Sequence, residues 1–150
     1  MASINFKCVS FDKLTLNELY QLLALRQEVF IVEQTCIFQD IDGKDQNALH
    51  CIGQDEAGNV VACTRLFDEN AYYEGYLSIG RVANSPKYRG TGLGKKLMTE
   101  SIKQTYLAFG KKPIKIGAQK YLEAFYESFG FKSTGEDYME DGILHTYMIL

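Results

Sequence analysis

The sequence predicts a mixed α/β domain, an α+β sheet that starts β-α-β-β and ends in two β-α-β crossovers. Three observations point there. Period-2 apolar runs flank one amphipathic helix in the N-terminal half, a glycine-dense turn joins a strand to a helix in the middle, and a second strand-helix-strand run closes in a tight hairpin. With 150 residues, 46% of them hydrophobic, the chain is long enough for one continuous core, so residues 1–150 read as a single domain.

Taken in order, Ile4, Phe6, Cys8 and Ser10 alternate as a first strand. Thr15-x-x-Glu18 is a capping box that opens a helix with Leu19, Leu22, Leu23, Arg26, Val29 and Phe30 at helical spacing. Cys51–Gln54 and Val60–Leu66 are strand-like runs around the turn string Asp55–Asn59, and Tyr76–Asn84 is the next strand. After the glycine turn a helix runs to Phe109, stopped by Gly110. Pro113–Gly117 is a short buried strand, and Leu122–Phe129 a helix ended by Gly130. Asp141-Gly142 turns the final hairpin between Phe131–Met139 and Leu144–Ile149. The Tyr72–Tyr76 stretch and the final strand could support a homodimer through a sheet edge.

Composition excludes several classes of function. A net charge of −3 argues against a nucleic-acid partner, which usually demands a basic stripe. No run approaches the roughly 18 apolar residues of a membrane span, and Met1–Lys7 lacks the pattern of a signal peptide, so a cytoplasmic protein without membrane partners is expected. Cys8, Cys36, Cys51 and Cys63 form no C-x-x-C pair and have no histidine at metal-like spacing; no metal is expected. Cys8, Cys51 and Cys63 read as small buried side chains, whereas Cys36 and His50 could face a substrate cleft.

The glycine turn holds the chemistry. Gly90, Gly92 and Gly94 lie between a strand and a helix, where Cβ-free backbone and the unpaired amides of a first helical turn make an anion cradle. Spacing narrows the ligand. The phosphate-loop string G-x-x-x-x-G-K-[ST] fails, because Arg89 stands where its first glycine belongs and Lys96 replaces the hydroxyl residue. The dinucleotide string G-x-G-x-x-G fails as well. What remains, Arg89-x-x-Gly92-x-Gly94, resembles the pyrophosphate-binding motif of the GNAT superfamily of acyl-CoA-dependent N-acetyltransferases. Phe125-Tyr126-Glu127-Ser128-Phe129-Gly130-Phe131 resembles the string that closes the cofactor half of such enzymes. The run from Leu25 to Cys36, Asp40–Asp45, Ile79–Val82, Gly117–Gln119 and Glu140–His145 are similar to the ElaA-like branch.

The resemblance implies a GNAT fold, acetyl-CoA as co-substrate and attack by an amine on its thioester with both substrates bound. It places the pyrophosphate on the backbone of Arg89, Gly90, Thr91, Gly92, Leu93, Gly94 and Lys95, with Arg89 as a positive lid. The pantetheine arm lies along Val82, Ala83 and Asn84, with Gln119 as a further coenzyme A contact. Tyr126 stands where the family carries its general-acid tyrosine. An amine of pKa about 10 must lose a proton before attack. The strand glutamate of histone-type relatives is Ser78 here, leaving Glu33, His145 and a water relayed by Ser78 as candidates, Glu33 first. Glu33, Asp40, Asp42 and Asp45 crowd carboxylates into thirteen residues, a field suited to a small cationic amine acceptor. Two alternatives stay open. Acyl-homoserine-lactone synthases also match Arg26, Phe30, Asp42, Asp45, Arg65 and Leu66, though they generally lack such a glycine motif, and an idle coenzyme A-binding module would keep the loop.

Overall fold

A computed structural model describes residues 3–150 of the chain. The order is β1 (Asn5–Ser10), α1 (Leu16–Arg26), β2 (Leu49–Gln54), β3 (Val60–Phe67), β4 (Leu77–Asn84), α2 (Leu93–Phe109), β5 (Ile114–Gln119), α3 (Glu123–Glu127), β6 (Lys132–Glu140) and β7 (Ile143–Ile149). The predicted mixed sheet forms: seven strands ordered β1-β2-β3-β4-β5-β7-β6, in which β4 and β5 are the parallel neighbours and the other adjacent pairs run antiparallel. The first crossover, β4-α2-β5, joins adjacent strands. The second, β5-α3-β6, skips a position, because β7 inserts between the strands it connects. That insertion corrects the expectation for the last strand: β7 is interior and offers no edge, which β1 and β6 supply instead.

Local chemistry explains the boundaries. Thr15 Oγ1 accepts from the Glu18 amide at 3.1 Å and Glu18 Oε1 accepts from the Thr15 amide at 2.9 Å, so the capping box closes both ways. α2 ends at Phe109, because Gly110 turns left-handed at φ +89° and its amide caps Tyr106. Asp141 and Gly142 both adopt positive φ, 51° and 79°, as a tight antiparallel hairpin requires. α3 is shorter than the predicted Leu122–Phe129, since Lys120–Leu122 winds as a 3₁₀ turn before it.

α1 covers one face of the sheet, burying Leu22, Leu25 and Val29 against Ile52, Val60, Cys63 and Ala83. α2 and α3 cover the other, where Met98, Tyr126 and Phe131 meet Leu66, Leu77, Ile79, Ile114 and Ile116. Cys51 and Cys63 are fully buried and Cys8 half-buried, with burial pushing their thiols up to about 11, 12 and 12, so they pack as inert apolar groups.

Three irregularities border a cleft. Between Cys63↔Ala83 and Arg65↔Gly80, β3 advances two residues and β4 three, so β4 carries a bulge in which Arg81 sits at φ +48°. β4 pairs with β5 only at Leu77↔Ile114 and Ser78↔Lys115, and the two strands part beyond that point. The third irregularity follows α1, whose chain continues as a π-helical segment, Gln27–Glu33, wider and underwound relative to an α-helix, at the rim of the opening.

Candidate active site

The parting strands enclose a cavity of about 870 Å³, which falls in the size range of small-molecule sites. Its walls come from the π-helical segment and the loop after it, the free edge of β4, the α2 start, the end of β5, α3 and the β6–β7 hairpin. Most of the predicted site residues meet there: Glu33, Val82, Asn84, Arg89, Gly90, Gly92, Leu93, Gly94, Gln119, Tyr126 and His145.

At the α2 end the cavity is bordered by free backbone amides. The first intrahelical bond of α2 runs from the Lys96 amide to the Gly92 carbonyl at 3.2 Å, so the amides of Gly92, Leu93, Gly94 and Lys95 precede the helical ladder. Gly92 caps the helix at φ +83°, a left-handed conformation that glycine adopts without strain. A Cβ on Gly94 would lie 3.3 Å from Asn84 Nδ2 and 3.7 Å from the Phe125 ring, so this glycine lets α2 approach β4 and α3 closely. Asn84 Oδ1 is buried without a partner among the described residues. An orphan acceptor at the strand edge beside unpaired helix-start amides suits an arm carrying N–H donors that ends in an anion, the chemistry of coenzyme A.

The remaining loop residues play lesser parts. Thr91 stays outside the cavity lining, its hydroxyl donating to the Tyr88 carbonyl. Lys95 turns its side chain into a separate groove with Phe6 and Lys96, and Ala83 is buried under α1, so neither directs a side chain into the cavity. Arg89 reaches across the mouth: Nη1 and Nη2 donate to Glu33 Oε2 and Oε1 at 3.1 and 2.8 Å, and Nη2 also lies 3.3 Å from the Asn84 carbonyl. Gln34 and Gln119 exchange amide hydrogen bonds at 3.4 and 3.3 Å, and Cys36 Sγ donates to the Asp141 carbonyl at 3.3 Å. Residues 33–36 thus tie to the glycine loop, to β5 and to the hairpin in turn.

Tyr126 lines the cavity with its ring edge-on to Phe125 and Phe131. Burial raises its phenol well above the usual tyrosine range, so it stays protonated and able to donate. His145 also lines the cavity. Its Nδ1 lies 2.8 Å from the Ile143 carbonyl, an acceptor, which assigns the ring proton of the neutral tautomer to Nδ1 and leaves the Nε2 lone pair free, with Glu140 Oε2 at 3.8 Å. Ser78 is buried outside the lining, so a water relay through it has no direct path to the cavity.

The acidic-field expectation is corrected. Arg26 donates to Asp40 Oδ2 at 2.9 Å and Asp45 Oδ1 at 2.8 Å, Arg65 to Asp42 at 2.8 and 2.7 Å and to Asp45 at 3.0 Å, and Arg81 to Asp40 at 2.7 Å. Three guanidiniums thereby neutralise three carboxylates, and the arginines hold Asp42 and Asp45 below the usual carboxylate range despite their burial. The same network absorbs Arg26, Asp42, Asp45 and Arg65, the residues in common with lactone synthases, into a structural role. His50 is corrected too: it is fully buried outside the cavity, with Nε2 donating to the Asp45 carbonyl at 2.8 Å. The sequence reading missed Arg81, Phe38 and Gln39, which line the cavity. The Arg81 signal lay in the Ile79–Val82 string itself.

Comparison with known proteins agrees with this geometry. The family model described as acetyltransferase (GNAT) domain matches residues 17–150. Protein ElaA of Escherichia coli is 39% identical over 147 residues, covering 97% of this chain and 95% of that protein. The crystal structure of E. coli ElaA superposes with a TM-score of 0.89 at 37% identity, covering 98% of this chain and 99% of that one. The crystal structure of an acyl-CoA N-acyltransferase from Pseudomonas aeruginosa superposes with a TM-score of 0.92 at 39% identity, with the same coverage. The splayed β4–β5 pair, the helix-start cradle and these likenesses converge on one conclusion: the chain is an acyltransferase that belongs to the GNAT family, on its ElaA-like branch.

Proposed function

We propose that the protein transfers an acetyl group from acetyl-CoA to the primary amine of a small acceptor, by direct attack while both substrates are bound. The single observation that supports this most is that one cavity joins two kinds of group: unpaired helix-start amides, and the Tyr126 and His145 side chains in its lining. The amides of Gly92 to Lys95 hold the pyrophosphate, with Arg89 closing over it. The free edge of β4 from Val82 to Asn84 aligns the pantetheine arm, and an amide there faces the thioester oxygen as negative charge builds on it.

His145 Nε2 accepts the proton of the attacking amine. Tyr126 donates its proton to the departing thiolate. His145 takes precedence over Glu33, because both Glu33 oxygens already accept from Arg89. Glu33 contributes as a rim contact. The unpaired thiols of Cys8, Cys36, Cys51 and Cys63 suit a reducing cytoplasm.

Thermal unfolding with and without acetyl-CoA tests the reading. At a hundred times its Kd the ligand adds about 2.7 kcal/mol of stability, so Tm rises clearly, and thiol release then identifies the amine. An unchanged Tm at millimolar acetyl-CoA contradicts the proposal.

A further inference from the structure

The β4 bulge bears on what the acceptor holds besides its amine. Arg81 is the residue at that bulge, held at φ +48°, where a non-glycine residue persists only if its surroundings fix it; bulges beside active sites often re-aim a side chain. The fixing is visible. Nε donates to Asp40 Oδ1 at 2.7 Å, Nη2 donates to the Asp40 carbonyl at 3.0 Å and lies 3.5 Å from Asp42 Oδ2, and the guanidinium carbon sits 5.4 Å from the centre of the Phe38 ring.

Nη1 is the nitrogen left over, without a partner among the described residues. Arg26 and Arg65, the other cations of the network, are buried and outside the cavity lining, whereas Arg81 lines it and is 20% exposed. The three network carboxylates are already matched by three guanidiniums, so an incoming anion meets no surplus negative charge there.

Resting on the acetyl-transfer reading, we propose that Nη1 of Arg81 receives a carboxylate oxygen of the acceptor. The acceptor class is then an amino-acid-like zwitterion, its carboxylate on Arg81 and its amine directed to the His145 side of the same cavity. The guanidinium is locked by Asp40 and Phe38 before substrate arrives, so little ordering remains to oppose the new charge-assisted hydrogen bond.

The experiment compares acetylation, by thiol release, of free amino acids with that of their decarboxylated amines and their carboxamides. The wild-type protein is expected to favour the best carboxylate-bearing acceptor over its matched amine by about tenfold or more in kcat/KM. In Arg81→Gln that preference collapses through KM. Phe38→Leu, which leaves the ion network intact, weakens it in the same direction and serves if Arg81→Gln does not fold. Equal kcat/KM for matched acceptors in the wild-type protein overturns the proposal, as does an Arg81→Gln protein that folds and keeps the full preference. Failure of the acetyl-transfer reading looks different: no amine of any kind is acetylated, and acetyl-CoA leaves Tm unmoved.

Discussion

The two ends of the cavity are built by opposite means. At the α2 end, main-chain amides are the groups on offer, and side chains matter mainly by their absence at Gly90, Gly92 and Gly94. At the β4 bulge, the main chain is distorted and six charged side chains, Arg26, Arg65, Arg81, Asp40, Asp42 and Asp45, hold the wall in place. The contrast shows how labour divides in this fold. The helix start is built from one short string of the sequence, while the bulge wall draws its residues from α1, the loop before β2, β3 and β4.

Breaking the network should have the largest effect. Arg26→Leu leaves Asp40 and Asp45 with one cation fewer in a buried site, and a loss of about 3–5 kcal/mol is expected in urea unfolding. Acid acts on the same groups. The folded-state values of Asp42 and Asp45 lie below their unfolded ones, so their contribution is whole above pH of about 4 and fades as pH falls further. His50, whose value burial lowers, starts the same trend earlier, below pH of about 6.5. A pH series of Tm should fall on the acid side and flatten above neutrality; a maximum below pH 4 would contradict the network's role.

The proposed catalytic pair comes next. Tyr126→Phe should reduce turnover by about a hundredfold while acetyl-CoA affinity measured by calorimetry stays put, because the hydroxyl is assigned to the leaving thiolate alone. At the backbone end, Gly92→Ala forces a Cβ into left-handed φ and should cost roughly 1–2 kcal/mol of stability, together with weaker acetyl-CoA binding. Smallest of all, Glu33→Gln breaks an exposed ion pair worth about 0–1 kcal/mol. Its stability should barely change, and a large loss would show that the strap over the mouth is structural.

Legibility followed the same division. The glycine cradle, the capping box at Thr15 and the Asp141-Gly142 turn are contiguous in sequence, so spacing alone identifies them. The network joins residues 14 to 41 positions apart, and its aspartates sit in a string, Asp40-Ile41-Asp42-Gly43-Lys44-Asp45, with the look of a solvated turn. Only the folded chain reveals that arginines from α1, β3 and β4 claim them. The bulge at Arg81 was equally hidden, since its residues continue a good strand pattern and the extra position shows only against β3. The place of β7 was lost for a related reason: a hairpin fixes which strands pair with each other, not which one turns inward.

The central claim is direct acetyl transfer within this cavity, and the sharpest test is thiol release from acetyl-CoA in the presence and absence of amine, with the protein's mass followed in parallel. The account predicts release only when an amine is present, product mass increased by one acetyl group, and an unmodified protein throughout. Release without amine together with an acetylated protein would contradict direct attack, and the absence of release across a broad amine panel would contradict the claim itself.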